Sequence, residues 1–482
     1  MKIKTRNTKK VKHSQPHRIK IDSFSEIDQI NPKAAGIDIG SRENIVSVPR
    51  DDGRYEVWAF DTFTKDLRSI VDLLKEHKVN CVAMESTGNY WIPIFEMLQD
   101  NDILPVLVNP KNTKNISGQK TDVTDAEWLA TLLKYGLVTG AFRPTSTLAL
   151  RTYLRQRATL IEHRSPHVLH MDKALIEMNL RLSNVVSDIV GLTGMSIIRA
   201  IVAGERDPKK LAALRHERCH NSEEIIEMSL DGHYKEEQVF VLKQALEMYE
   251  FYQRQIDACD IRIEKAIKDL QDATQPLFSQ SIEAQHVPKP EESSEPTKKG
   301  KKKKRNNSKN AYKFDSHSLI ISKTGVDLTK ITGLSEQNIW VIISEVGIDL
   351  KPWSSEKKFS SWLALAPNNM VSGGKVLKSR TKRSKQRARQ AFLLAAYSVH
   401  SSNTAIGAYY RRMRAKHGPE KAIVATAHKL ARLYYAMLKY GTEYVEVGQE
   451  YYETQYRKRL VKGLEKRALE LGYVLTPAEK VA

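Results

Sequence analysis

Hydrophobic positions over residues 33–110 come in short runs rather than helical stripes. KAAGIDIG (33–40) is a brief apolar run closed by Gly40, and NIVSVPR and RYEVWAF flank Asp51-Asp52-Gly53, a pattern that predicts a strand followed by a hairpin. Residues 66–77 change to helical periodicity. VNCVAMEST (79–87) reads as a strand, NYWIPIFEMLQD as a helix and ILPVLVNP (103–110) as another strand, after which KTDVTDAEWLA (120–130) opens a helix. Early strands followed by alternating helices and strands predict an α/β layer domain over 33–146.

From 147 to 279 the pattern is helical. Val239, Leu242, Leu246, Tyr249, Tyr252 or Gln253, Ile256 and Ile263 approximate a heptad-like stripe. It suits either a coiled coil between subunits, the reading slightly favoured, or an antiparallel helix pair within one chain. Residues 280–313 contain HVPKPEESSEPTKKGKKKKRNNSKN, which has no apolar anchors and reads as a flexible Lys-rich linker. A mostly helical part is expected over 314–445. In it, LTKITGLSEQNIWVIISEVG suits a helix-hairpin-helix that presents backbone N–H groups to a DNA phosphate, or an ordinary αα-hairpin. A Pro-Asn-Asn loop then leads to Ser372-Gly373-Gly374, a basic stretch and a long apolar helix. PEKAIVATAHKLARLYYAMLKY (419–440) is a further amphipathic helix, and 446–482 a basic helical tail.

Charge narrows the class of function. Lysine and arginine number 77 against 57 acids in 482 residues, a formal net charge of +20, which points to a polyanionic partner. The arginines of LALRTYLRQRATLIEHR (Arg151, Arg155, Arg157 and Arg164) suggest an RNA-facing helix in the spacer. Residues 1–32 read as a basic disordered arm without the apolar core of a secretory signal, and no run is long enough to span a membrane. Three widely spaced cysteines (Cys81, Cys219, Cys259) fit neither a disulfide framework nor a zinc site, as expected of a cytoplasmic protein.

Four acids carry the candidate chemistry. Asp122 and Asp125, at i and i+3, point from one face of a helical first turn and suit a shared cation. Thr124 and Glu127 equally have capping-box spacing, which explains part of the same stretch without chemistry. Asp38 lies between Ile37 and Ile39 in the first strand, where an unpaired carboxylate is costly. Glu85 ends the fourth strand beside Ser86, Thr87 and Gly88, a placement suited to catalysis. In a ribonuclease-H-like sheet strands one and four are neighbours and the last helix lays its first turn across them, so the four carboxylates would converge on two Mg²⁺ ions.

GIDIG, AMESTGNY and KTDVTDAEWLA, followed by WLALAPNNMVSGGK and AHKLARLYYAMLK, resemble the DEDD-type insertion-sequence transposases of the insertion-sequence one-ten family. The resemblance covers roughly 33–160 and 320–440. It implies a RuvC-like N-terminal domain, a helical spacer and a C-terminal transposase domain. It also implies donor and target DNA, a structured bridge RNA as guide, and a homo-oligomer, a dimer or a tetramer on DNA. By position Asp38, Glu85, Asp122 and Asp125 match the family's acidic tetrad, holding Mg²⁺ or Mn²⁺, and Ser372 matches its serine nucleophile. The resemblance selects Ser372 over Ser379 and Ser384, which composition does not. The expected place of action is the prokaryotic cytoplasm, at the nucleoid.

Other classes compete. A metal-dependent junction nuclease would use water in place of the serine. A sugar-kinase or actin-like phosphotransferase shares GIDIG but needs a second Gly-rich phosphate loop, which the sequence lacks. A non-catalytic RNA scaffold leaves the ordered acids unexplained.

Overall fold

The computed structural model describes residues 29–85, 88–108, 122–138, 140–272, 309–441 and 448–476. The expected basic arm up to residue 28, the Lys-rich stretch up to 308, Ser86 and Thr87, and the last residues of the tail lie outside the described residues, as does the side chain of Asp122. The fold divides into two compact units between Phe142 and Arg143.

The first unit is α/β. Strands β1 (Ala34–Ile39), β2 (Glu43–Pro49) and β3 (Tyr55–Asp61) form an antiparallel meander, with the β2–β3 hairpin turning at Asp51-Asp52-Gly53 as its sequence predicts. Helix α1 (Thr64–Glu76) leads to β4 (Cys81–Glu85), parallel to β1, and α2 (Trp91–Gln99) leads to β5 (Leu104–Val108), parallel to β4. The resulting order is β3-β2-β1-β4-β5, so strands one and four are neighbours, as expected.

Strand alternation gives the sheet two apolar faces. Ala35, Ile37 and Ile39 join Val82 and Met84 against Leu67, Ile70 and Leu74 of α1 and Ile94, Phe95 and Leu98 of α2. Ala34, Cys81, Ala83 and Val108 face the other way and meet Leu129 and Leu133 of α3 (Asp122–Lys134).

The second unit is built on two long antiparallel helices, α4 (Leu148–Glu177) and α9 (Glu236–Lys268). Between them run the short helices α5 (Leu182–Val185), α6 (Leu192–Val202), α7 (Pro208–Ala212) and α8 (Glu223–Leu230). The apolar stripe of α9 is buried as its spacing predicts, but within the chain. Leu242, Leu246 and Tyr249 join Met171 and Leu175 of α4 and Ile198 and Ile226 of the short helices in one core. The coiled coil between subunits is therefore corrected to an intrachain antiparallel pair.

After the undescribed stretch the chain continues through α10 (Ser316–Thr324), a 3₁₀ turn (Leu328–Lys330), α11 (Glu336–Val346) and α12 (Glu356–Trp362). The hairpin β6–β7 (Pro367–Ser372, Lys375–Thr381), α13 (Arg387–Ser398), α14 (Ala405–His417), α15 (Pro419–Tyr440) and α16 (Gly448–Glu470) follow. Trp340, Phe359, Phe392, Tyr434 and Tyr435 make the aromatic core here, with Tyr434 stacked on Phe359 at 6.2 Å between centroids and the Tyr435 hydroxyl donating to the Trp353 carbonyl at 2.7 Å.

These helices are bound to the spacer rather than tethered beside it. Lys323 Nζ donates to the carbonyls of Lys268 (2.9 Å) and Leu270 (2.7 Å), capping the end of α9, and Arg155 pairs with Glu345 of α11 at 2.7 Å. The described residues on either side of the Lys-rich stretch thus belong to a single folded body.

Candidate active site

The acids of the first unit sit at one end of the sheet. Ile37 pairs with Met84, so Asp38 and Glu85, one residue on, stand at the same level on adjacent parallel strands. Asp38 shares its face with Ala34 and Gly36, the face covered by α3, and both carboxylates are half-buried. Asp38, Glu85 and Asp125 each make a polar or electrostatic interaction.

Gly36 explains how α3 comes so close. A Cβ there would stand 2.1 Å from the Ala126 carbonyl oxygen and 2.7 Å from the Ala130 nitrogen, so the helix backbone lies directly on the strand. Leu129 and Leu133 contact the level of Ala34, and Ala126 that of Gly36. The helix therefore runs with its first turn toward the level of Asp38. Asp125 is half-buried one residue before Ala126 on this stripe, and Asp122 opens the helix. Because α3 begins at Asp122, Thr124 falls inside it and is out of register for a capping box. Among the described residues no group of three or more His, Cys, Asp or Glu is close enough to hold a metal ion. On the same face, burial pushes the Cys81 thiol pKa up, which suits an inert core residue rather than a nucleophile.

In the second unit Ser372 ends β6 and is exposed. The expected loop around it is instead a two-stranded hairpin. Gly373 and Gly374 have φ of +54° and +77°, as a two-residue hairpin turn with both central residues left-handed requires, and Ser372 pairs directly with Lys375. A Gly-Gly dipeptide between runs containing Val and Thr was a usable signal for it. Ser379 pairs with Asn369 and so lies on the face opposite Ser372, while Ser384 Oγ accepts from the Gln386 N–H at 3.2 Å.

One sequence reading is corrected by burial. Arg151, Arg157 and Arg164 are only 6%, 5% and 5% exposed, so they do not form an RNA-facing surface. Arg151 donates to the Ser344 carbonyl at 2.9 Å, Arg157 to Asp260 at 2.5 Å, and Arg164 to Asn310 at 2.7 Å and to Gln253. Burial pushes the Arg151 pKa below its ordinary value, with Glu345 opposing the shift. Charge counting cannot distinguish such internal ties from a nucleic-acid surface.

The ITGLS turn differs as well. It follows a single 3₁₀ turn rather than a full helix. Gly333 (φ +95°) lies against α13, where a Cβ would meet Val399 and Ala395, and Ser335 caps α11 by accepting from the Asn338 N–H at 3.2 Å. That N–H already has a partner, which weakens the phosphate reading of the turn.

Comparison with known families bears on both halves. A transposase model for the DEDD type of IS110 elements matches residues 35–179, and a model of the IS116/IS110/IS902 transposase family matches residues 327–411. Both matches are to transposases of the IS110 family, one in each half of the chain. The transposase is accordingly an enzyme that acts on DNA. The first match contains Asp38, Glu85, Asp122 and Asp125 and runs through α4, and the second contains Ser372 and the whole β6–β7 hairpin. No curated protein matches the chain. Among the described residues of the transposase no helix is long and apolar enough to cross a membrane.

Proposed function

We propose that this transposase moves an insertion sequence by RNA-guided strand exchange, with Ser372 as the nucleophile and a RuvC-like acid cluster as its electrostatic partner. The observation that carries the reading is the pair of family matches, one spanning the four acids and the other the serine. The sheet order β3-β2-β1-β4-β5, with Asp38 beside Glu85 and the first turn of α3 directed at them, supports the RuvC-like assignment.

Asp38, Glu85, Asp122 and Asp125 are all-oxygen donors, the kind that suits Mg²⁺ or Mn²⁺, and they would hold the ion. When bound, such an ion neutralises charge building on a phosphodiester. In the reaction the Ser372 hydroxyl attacks phosphorus, losing its proton. The bond to one strand oxygen breaks, and that strand leaves as a hydroxyl. A serine–phosphate ester retains the bond energy until another strand's hydroxyl attacks it and restores Ser372, so no ATP is consumed.

Trapping on labelled element-end DNA tests this reading. A covalent adduct is expected with the wild type and none with Ser372→Ala. Persistence in that variant would assign the nucleophile elsewhere, with Ser379 and Ser384 next to examine. Strand cleavage without any adduct would favour the water-using nuclease.

The guide RNA and the homo-oligomer rest on the family resemblance and the +20 charge, since the Arg151–Arg164 cluster and the α9 stripe are used internally. RNA co-purifying with the transposase should be one defined structured species. Recovery of random RNA would remove the guide from the reading.

A further inference from the structure

The β6–β7 hairpin has two chemically different faces. Residues paired directly across a hairpin share a face, and alternate pairs change face. Ser372↔Lys375 and Asn368↔Arg380 lie on one face, Val371↔Val376 and Asn369↔Ser379 on the other. The second face carries no charge.

An irregularity decides this arrangement. The register shifts between Met370 and Val371, leaving Leu377 as an extra residue on β7. In a regular ladder Lys375 and Arg380, five residues apart, would point to opposite faces. The bulge reverses the alternation beyond it and brings Arg380 round to the face of Ser372. Ser372, Lys375 and Arg380 are exposed, and neither cation forms an ion pair with a described residue. From Glu356 to Glu420 the intervening chain has no Asp or Glu and fourteen Lys or Arg, so no acid within it competes for these cations.

We propose that Ser372, Lys375 and Arg380 form one phosphodiester-binding face of the hairpin, on which Lys375 holds a non-bridging oxygen of the scissile DNA phosphate beside the serine. Directly opposed residues have Cβ atoms about 4.5–5.5 Å apart, near enough for an ammonium and a hydroxyl to reach one phosphate group. The Gly-Gly turn fixes that pairing. Arg380, farther along the same face, takes a phosphate elsewhere on the strand. The role of Lys375 rests on Ser372 being the nucleophile; the phosphate contact of Arg380 does not.

The test uses the full-length transposase with its co-purified RNA and a fluorescein-labelled duplex of the element's own end. Lys375→Met should lower the single-turnover rate of adduct formation about 10²-fold at saturating DNA, as loss of one transition-state donor does. Lys375→Arg should recover most of it. Arg380→Gln should weaken DNA binding and reduce the slope of log affinity against log salt by about one. Deleting Leu377 should leave the wild-type slope, because it removes the extra residue and the bulge together and keeps Arg380 opposite Asn368 on the face of Ser372. The residues are exposed, so these variants should melt with the wild type.

A wild-type adduct rate for Lys375→Met, or an unchanged slope for Arg380→Gln, would overturn the proposal. An equal slope change with the isolated RNA in place of the duplex would reassign the face to RNA and likewise overturn it. An adduct that survives Ser372→Ala would remove the nucleophile and with it the role of Lys375, while the salt slopes still judge Arg380 separately.

Discussion

Gly36→Ala should reduce strand transfer to background and destabilise the first unit by about 1–3 kcal/mol or more, the usual range for overpacking a tight core. The added methyl carbon would stand 2.1 Å from the Ala126 carbonyl oxygen and 2.7 Å from the Ala130 nitrogen. Both are backbone atoms, so no side-chain rotation relieves the clash. The helix must lift from the strand, and its first turn, bearing Asp122 and Asp125, would move from the level of Asp38 and Glu85. A displacement of about 1 Å in reacting groups costs on the order of 10²-fold in rate. Denaturant unfolding and a strand-transfer assay on the same preparation separate the two effects. A variant with wild-type activity and stability would mean that α3 does not pack on Gly36.

Arg157→Ala should destabilise the second unit by about 3–5 kcal/mol, because it leaves a buried carboxylate without its counter-charge. Asp260 is only 3% exposed and lies 2.5 Å from the Arg157 guanidinium. The same guanidinium donates to the Asn310 carbonyl at 3.0 Å and lies over the Tyr312 ring at 4.6 Å, so its loss also frees the segment entering α10. Burial pushes the Tyr312 hydroxyl pKa up, as expected of a neutral group closing a buried ion pair. Thermal unfolding measures the loss. Arg157→Met combined with Asp260→Leu should restore most of the stability, since similar-sized apolar residues replace a buried pair at little cost. If Arg157→Ala instead leaves the melting curve unchanged and abolishes RNA binding alone, the residue faces RNA after all.

Local pattern was enough for the elements of the first unit. Short apolar runs bounded by Gly40 and Asp51-Asp52-Gly53 specify strands and a hairpin here, because run length and turn chemistry are properties of neighbouring residues. The amphipathic helix over 419–440 was legible for the same reason: a 3.6-residue period needs no knowledge of what covers the apolar face. The placement of Asp38 and Glu85 on neighbouring strands was anticipated only by assuming the sheet order, which pairing between distant strands decides.

Tertiary structure determined what each face and charge met. The α9 stripe announced burial but not its partner, and the partner is α4 of the same chain. Arg157 and Arg164 looked like a nucleic-acid surface because their acceptors lie far along the chain, Asp260 at 103 residues and Asn310 at 146. On the hairpin, composition supplied the cations, but the bulge that takes up Leu377 keeps Arg380 on the face of Ser372. Burial, partner and facing are long-range properties, so a sequence specifies them only through the whole fold.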